Sequence, residues 1–181
     1  MKVQVHLTDK DYFDFNVFQN LRSHYGARVI KKTRILLAVI FGGIIAVGFL
    51  LDGFSTDVLV RAGVNVAVCI LFQIFLKRFF VETVKANIKQ LKKQGKLAYH
   101  EYAEMEFLEH SFIERTPDNK TEQSYASIER ISVVEGRYIY IHPNNLSAYI
   151  LPVNSFKNQA EYDEFLSFIK SVCPNVDFYK N

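Results

Sequence analysis

The sequence is short of the residues that build reactive sites. Its two cysteines, Cys69 and Cys173, lie far apart in segments of different character. That argues against a disulfide framework and fits a reducing compartment. Five histidines, His6, His24, His100, His110 and His142, are scattered, and none forms HExxH or another pair at ligand spacing. A metal centre is therefore not expected. Gly42 and Gly43 in "FGGII" lack the following Lys and Ser/Thr of a phosphate loop. The acids Glu101, Glu104, Glu106 and Glu109 are irregularly spaced and read as a solvated face, not an acid–base pair. No nucleophile–base pairing is legible, so the expectation is a non-enzyme without a cofactor. A net charge of +3 is too small to indicate nucleic acid. The opening "MKVQVHLTDKDYFDF" carries acids early and has no apolar core of a secretory signal.

Charge is also missing from one long stretch. Ile35 to Leu51 is a run of 17 uncharged residues. As a helix it measures roughly 26 Å, close to the roughly 30 Å hydrocarbon core of a bilayer. Thr33 extends it, and Arg34 can snorkel toward headgroups. The run is apolar on every face, which suits lipid or a deep core, and a chain of 181 residues has little material to surround it. A second run follows after "DGFSTD". Ala62 to Leu76 is uncharged, and Asn65 and Gln73 are its strongly polar members. Both are costly in lipid and should face the partner helix. The two runs predict a transmembrane hairpin over residues 33–80, with spans at about 34–52 and 58–78.

The flanks predict its orientation. Arg28, Lys31, Lys32 and Arg34 precede the first run, and Lys77, Arg78, Lys85, Lys89, Lys92, Lys93 and Lys96 follow the second. The connecting loop carries Asp52 and Asp57, with Arg61 nearby. Lys and Arg favour the cytoplasmic side, which places both termini there. Lys31, Lys32, Arg34, Lys77 and Arg78 are the candidate contacts to the anionic inner leaflet. Topology alone already requires some of these charges.

Residues 1–32 read as a strand and an amphipathic helix. Val3, Val5 and Leu7 alternate with Lys2, Gln4 and His6. Thr8 is a candidate N-cap, followed by Asp9 and Asp11, and Gly26 is the expected interruption before the first span. Residues 81–96 read as a basic helical extension, with Phe80, Val84, Ile88 and Leu91 on one face and Gly95 at its end. From residue 97 the pattern changes to five or six short strands separated by turns such as "PDNKT" and "PNN". A lone strand needs partners, so Val3 to Leu7 is expected to join this carboxy-terminal sheet across the hairpin. Asn158 and Glu161 form a capping-box pattern. Tyr162, Phe165, Leu166, Ile169, Val172 and Cys173 then make one apolar helical stripe, which Pro174 should end. Tyr138 and Tyr140 are candidates for binding only if exposed, since core packing is the default for such residues.

The stretch "YASIERISVVEGRYIYIHPNNLSAYILPVNSFKNQAEYDEFLSFIK" resembles the YcxB-like family of bacterial membrane proteins. The matching elements are Ile150, Leu151, Pro152 and Phe156, then the helix from Asn158. Tyr125, Ser127 and Ile128 stand where the family commonly has a Trp-small-Ile element, and this chain has no Trp. The resemblance implies an amino-terminal strand and helix, two spans, and a small β domain of the pleckstrin-homology type over residues 97–181. It brings no established activity. In a bacterial cytoplasm the glycosylation-like "NKT" and "NLS" patterns at Asn119 and Asn145 carry little weight.

The expected architecture is thus α+β: a two-helix transmembrane hairpin and an antiparallel β domain closed by a helix. The expected role is a membrane-anchored cytoplasmic binding module in the bacterial inner membrane. Its partners would be the lipid bilayer together with a protein, a lipid headgroup or a second copy, and not nucleic acid. The alternative is a subunit of an oligomeric transporter or channel that uses Asn65 and Gln73.

Overall fold

The structure, a computed structural model, describes every residue except Ala98, Leu146, Pro174, Lys180 and Asn181. The expectation at Pro174 therefore lies outside the described residues. The chain divides into two compact units, Met1–Phe15 with Gln90–Asn181, and Asn16–Lys89.

Among the described residues, the first unit holds eight strands in two sheets. One sheet has the order β1-β2-β3-β4, with β1 Lys2–His6, β2 Tyr102–Phe107, β3 Ser111–Arg115 and β4 Lys120–Ser124. The other has the order β7-β6-β5-β8, with β5 Arg130–Val134, β6 Tyr138–His142, β7 Tyr149–Pro152 and β8 Val176–Tyr179. All pairings are antiparallel except β5 with β8. Strand β8 is an addition to the sequence reading. Its four residues "VDFY" are too short and mixed to show a period.

Strand β1 pairs with β2 through five residues, from Lys2 opposite Glu106 to His6 opposite Tyr102. The expectation that the first strand joins the carboxy-terminal sheet is met. Alternation explains its orientation: Val3 and Val5 are buried, while Lys2, Gln4 and His6 face out. The buried row continues with Ala103, Met105 and Phe107 on β2 and Phe112 on β3.

Helix α4, Gln159–Val172, buries Tyr162, Phe165 and Ile169 and meets the first sheet through the Phe165 and Phe107 rings. The Asn158 side chain accepts from the Glu161 amide at 2.9 Å, and the Glu161 carboxylate accepts from the Lys157 amide at 2.6 Å. This reciprocal cap starts the helix where the pattern placed it. Phe165 is fully buried, with its ring 4.7 Å from Phe107 and 5.1 Å from Phe156. Ile131, Ile139, Ile141 and Leu151 of the second sheet complete the core.

Helix α1, Asp9–Val17, begins in this unit. Thr8 caps it: its hydroxyl accepts from the Asp11 amide at 3.3 Å and donates to Asp11 Oδ2 at 2.6 Å.

The second unit is helical. A wider, π-type turn covers Phe18–Arg22, Ser23 leaves the helix in extended conformation, and α2 runs over His24–Asp52. The break thus falls at Ser23, and Gly26 lies inside α2. Ser23 makes the new start because its hydroxyl accepts from the Gly26 amide at 3.0 Å. Gly26 serves close approach instead: a Cβ there would collide with the Asn20 carbonyl group.

Helix α3, Thr56–Lys93, is 38 residues long. It rises roughly 57 Å, well beyond a bilayer core. The expected Gly95 makes the turn just after its end, with φ 63° that lets the Lys96 amide reach the Leu91 carbonyl at 3.0 Å. Helices α2 and α3 are each long and apolar enough to cross a membrane, and their most apolar stretches are almost entirely exposed. Leu50 is 84% exposed and Phe54 in the loop 89%. Side chains of this kind in water would cost the unit its apolar burial.

Candidate functional site

The five basic candidates sit on the two long helices. Lys31, Lys32 and Arg34 are exposed on α2, and Lys77 and Arg78 are exposed on α3. One reciprocal contact sets their level. Gln73 Nε2 donates to the Arg34 carbonyl at 2.9 Å, and the Arg34 guanidinium reaches back to the Gln73 carbonyl at 3.5 Å. Arg34 and Gln73 are therefore side by side on antiparallel helices. Helix rise then puts all five basic residues within roughly 8 Å along the axis. They form one band.

The same clasp measures the apolar section. From Arg34 to Asp52 the rise is roughly 27 Å, and from Thr56 to Gln73 roughly 26 Å. Those lengths match a hydrocarbon core of roughly 30 Å. Polar groups mark its other end, where Arg61 Nη1 lies 3.5 Å from Asp52 Oδ2. Gln73 faces the partner helix, as expected for a costly amide in an apolar run. Asn65 behaves differently. It lines a cleft with Ile44, Gly48 and Val58, yet its amide donates to the Arg61 carbonyl of its own helix at 2.9 Å.

Tyr138 and Tyr140 are 6% and 1% exposed. They belong to the core and are not surface contacts. The Tyr138 hydroxyl lies 2.8 Å from Asp11 Oδ1 and 3.0 Å from Asp14 Oδ2, so α1 is tied to β6. Burial, then the Asp11 hydrogen bond and the Asp14 charge, push the Tyr138 hydroxyl far above its ordinary pKa. Burial pushes the Asp11 carboxyl up, but the Thr8 and Tyr138 hydroxyls outweigh it and hold the group below the usual range. Asp9 accepts from Lys92 and from the Tyr99 hydroxyl, the latter at 2.7 Å. The Lys92 hydrogen bond, then that of Tyr99, lower its pKa. One lysine of the basic extension is thus engaged within the β unit.

The acidic residues take solvent-facing places. Glu104 and Glu106 share the outer face of β2, where Arg115 Nη1 lies 3.0 and 2.7 Å from them and Lys2 Nζ lies 3.6 and 3.5 Å. Both carboxylates are held low, Glu104 first by the Gln4 side chain and Glu106 first by Arg115. Low pKa values and shared cations suit a charge ladder and not a general acid. Cys69 and Cys173 are both free thiols, and Cys173 is buried with its pKa raised by that burial.

His142 is the feature that pattern reading does not single out. It is fully buried on β6, opposite Arg130, with the Phe15 and Tyr140 rings each 6.3 Å away. The nearby Ser147 amide donates to Asn144 Oδ1 at 2.9 Å. Burial first and Arg130 second depress the imidazole to about 3, so it is neutral at ordinary pH.

Compared with protein-family models, curated proteins and solved structures, the chain matches none.

Proposed function

We propose that α2 and α3 cross the bacterial cell membrane as a hairpin and hold the β unit at its cytoplasmic face as a non-catalytic binding module. The single observation that carries this reading is the β1–β2 ladder. Residues before the hairpin and residues after it share one sheet, with the Leu7 amide donating to the Glu101 carbonyl at 2.9 Å. Both ends of the hairpin must then lie on one side of whatever it crosses. The basic band at those ends favours the cytoplasm as that side. The exposed apolar lengths of α2 and α3 supply the span.

The YcxB-like resemblance and the pleckstrin-homology-type fold belong to the same proposal. Four strands, β1 to β4, precede three more, β5 to β7, and a carboxy-terminal helix follows. The departures from the pleckstrin-homology type are the helical insertion between β1 and β2, and strand β8 after the helix. The ligand class follows from position: an inner-leaflet headgroup, a cytoplasmic protein or a second copy. Gln73 is engaged with the neighbouring helix and Asn65 with its own backbone. That weighs for an anchor over a transport subunit, which needs polar groups along a path.

Washing membranes with alkaline carbonate tests the anchor. The full chain is expected to stay in the membrane pellet, and release into the supernatant would contradict the reading. Replacing Lys31, Lys32, Arg34, Lys77 and Arg78 together by Gln should leave the chain in the pellet while increasing the share of inverted molecules.

A further inference from the structure

We propose that residues 1–15 act as a topology lock, making completion of the β unit conditional on both hairpin ends reaching the same side of the membrane. This rests on the membrane reading above. The contacts that tie these residues into the β unit lie on the far side of the hairpin in sequence. Among the described residues, strand β1 pairs with β2 alone, across about a hundred residues. Val3 and Val5 stand opposite Met105 and Ala103. Phe15 lies against Tyr140, with ring centroids 5.2 Å apart. Asp11 and Asp14 receive the Tyr138 hydroxyl, and Asp9 receives Lys92 and Tyr99. An isolated strand does not hold its own structure, so β1 forms only when β2 is within reach.

The converse also holds. Without β1, strand β2 becomes a sheet edge with Ala103 and Met105 uncovered on its inner face. An open edge beside exposed apolar side chains is what proteases and aggregation act on. A chain whose spans insert with the wrong number of crossings separates the two pieces by a bilayer that β1 cannot pass. Such a chain carries an incomplete β unit and is marked for removal. Correct insertion is thus read out as a folded domain, with no partner needed.

The test adds a crossing. A third apolar span with short polar flanks is placed between Gly53 and Ser55 of the full chain, and membranes are opened and treated with trypsin. The β unit of this chain is expected to be cleaved at least tenfold faster than that of the parent. A polar insert of equal length should leave the parental rate. Appending a second copy of residues 1–15 to the carboxy terminus by a flexible linker, on the β unit's own side, should restore resistance. Parental resistance in the three-span chain would overturn the lock, and so would failure of the appended copy to restore it. Carbonate extraction of the parent is read separately. Its release from membranes would defeat the anchor itself, whatever the trypsin result.

Discussion

The β unit and the helical unit solve burial in opposite ways. In the β unit the large apolar side chains are inside, with Phe112, Ile131, Ile139, Leu151 and Phe165 at 0% exposure, and the charged ladder of Lys2, Glu104, Glu106 and Arg115 is outside. In the helical unit Ile35, Val39, Leu50, Leu59 and Ile74 are outside, and the Gln73 amide turns toward the neighbouring helix. Water drives the first arrangement, because burying apolar area is worth roughly 25 cal/mol per Å². The second gains nothing from water. It is stable where the surroundings are as apolar as the side chains, and there an unsatisfied amide is the costly group.

The largest expected contrast comes from truncating one large side chain in each unit. Phe165→Ala removes a ring packed on Phe107 and Phe156 and should destabilise the β unit by about 3–5 kcal/mol. Leu50→Ala removes a side chain of similar character that faces outward, and its effect should stay within about 0.5 kcal/mol. Thermal melting of the protein in lipid nanodiscs, followed by circular dichroism, compares the two. Equal losses would erase the distinction between the units.

Acid sharpens the comparison next, because the buried imidazole belongs to the β unit alone. The folded pKa of His142 is about 3, below the 6.5 of the free side chain. The unfolded chain therefore binds the extra proton, and stability falls as pH drops from about 6.5 toward 3. One proton taken up only on unfolding changes stability by at most roughly 1.4 kcal/mol per pH unit, so the loss between about pH 6.5 and about pH 4.5 should be about 2 kcal/mol. His142→Phe should flatten that window. A separate loss should remain at lower pH, where the depressed Asp9, Asp11, Glu104 and Glu106 carboxylates protonate. Chemical unfolding at a series of pH values reads both phases, and an unchanged slope in the variant would place the proton elsewhere.

Smaller effects follow from single hydrogen bonds. Tyr138→Phe leaves Asp11 and Asp14 without the shared hydroxyl and should cost the β unit about 1 kcal/mol. On the proposed membrane reading, Gln73→Leu should cost the hairpin only about 0.6 kcal/mol, because the amide it removes is itself expensive in lipid. Each change should register in its own unit. Steric trapping of the hairpin and melting of the β unit would show whether the two losses stay separate.

Much of this organisation is legible in local pattern. Val3, Val5 and Leu7 announce a half-buried strand, Asn158 and Glu161 a helix start, and the uncharged runs two long helices, because each signal is complete within a few residues. Partners are less legible. That β1 should join the carboxy-terminal sheet follows from its lack of any other neighbour, but its register against Tyr102–Phe107 depends on tertiary packing. The pattern puts the helix break at Gly26 and the structure puts it at Ser23, since glycine signals both helix interruption and close approach, and only the surroundings distinguish them. The basic band is visible residue by residue. The Arg34–Gln73 clasp that levels it is not, because its acceptors are backbone carbonyls that every residue possesses. His142 is invisible for the opposite reason: its character comes from complete burial in the tertiary core, which no local pattern records.

The proposal that one membrane hairpin interrupts one β unit is open to cysteine accessibility in intact cells. Single cysteines at Lys2, Ser55 and Ser171 would be introduced into a chain whose Cys69 and Cys173 are replaced. An impermeant thiol reagent should label position 55 alone, and positions 2 and 171 should react only after the membrane is opened. Labelling of 2 and 171 on opposite sides would contradict the shared sheet, and labelling of both from outside would reverse the orientation and remove the inner-leaflet role.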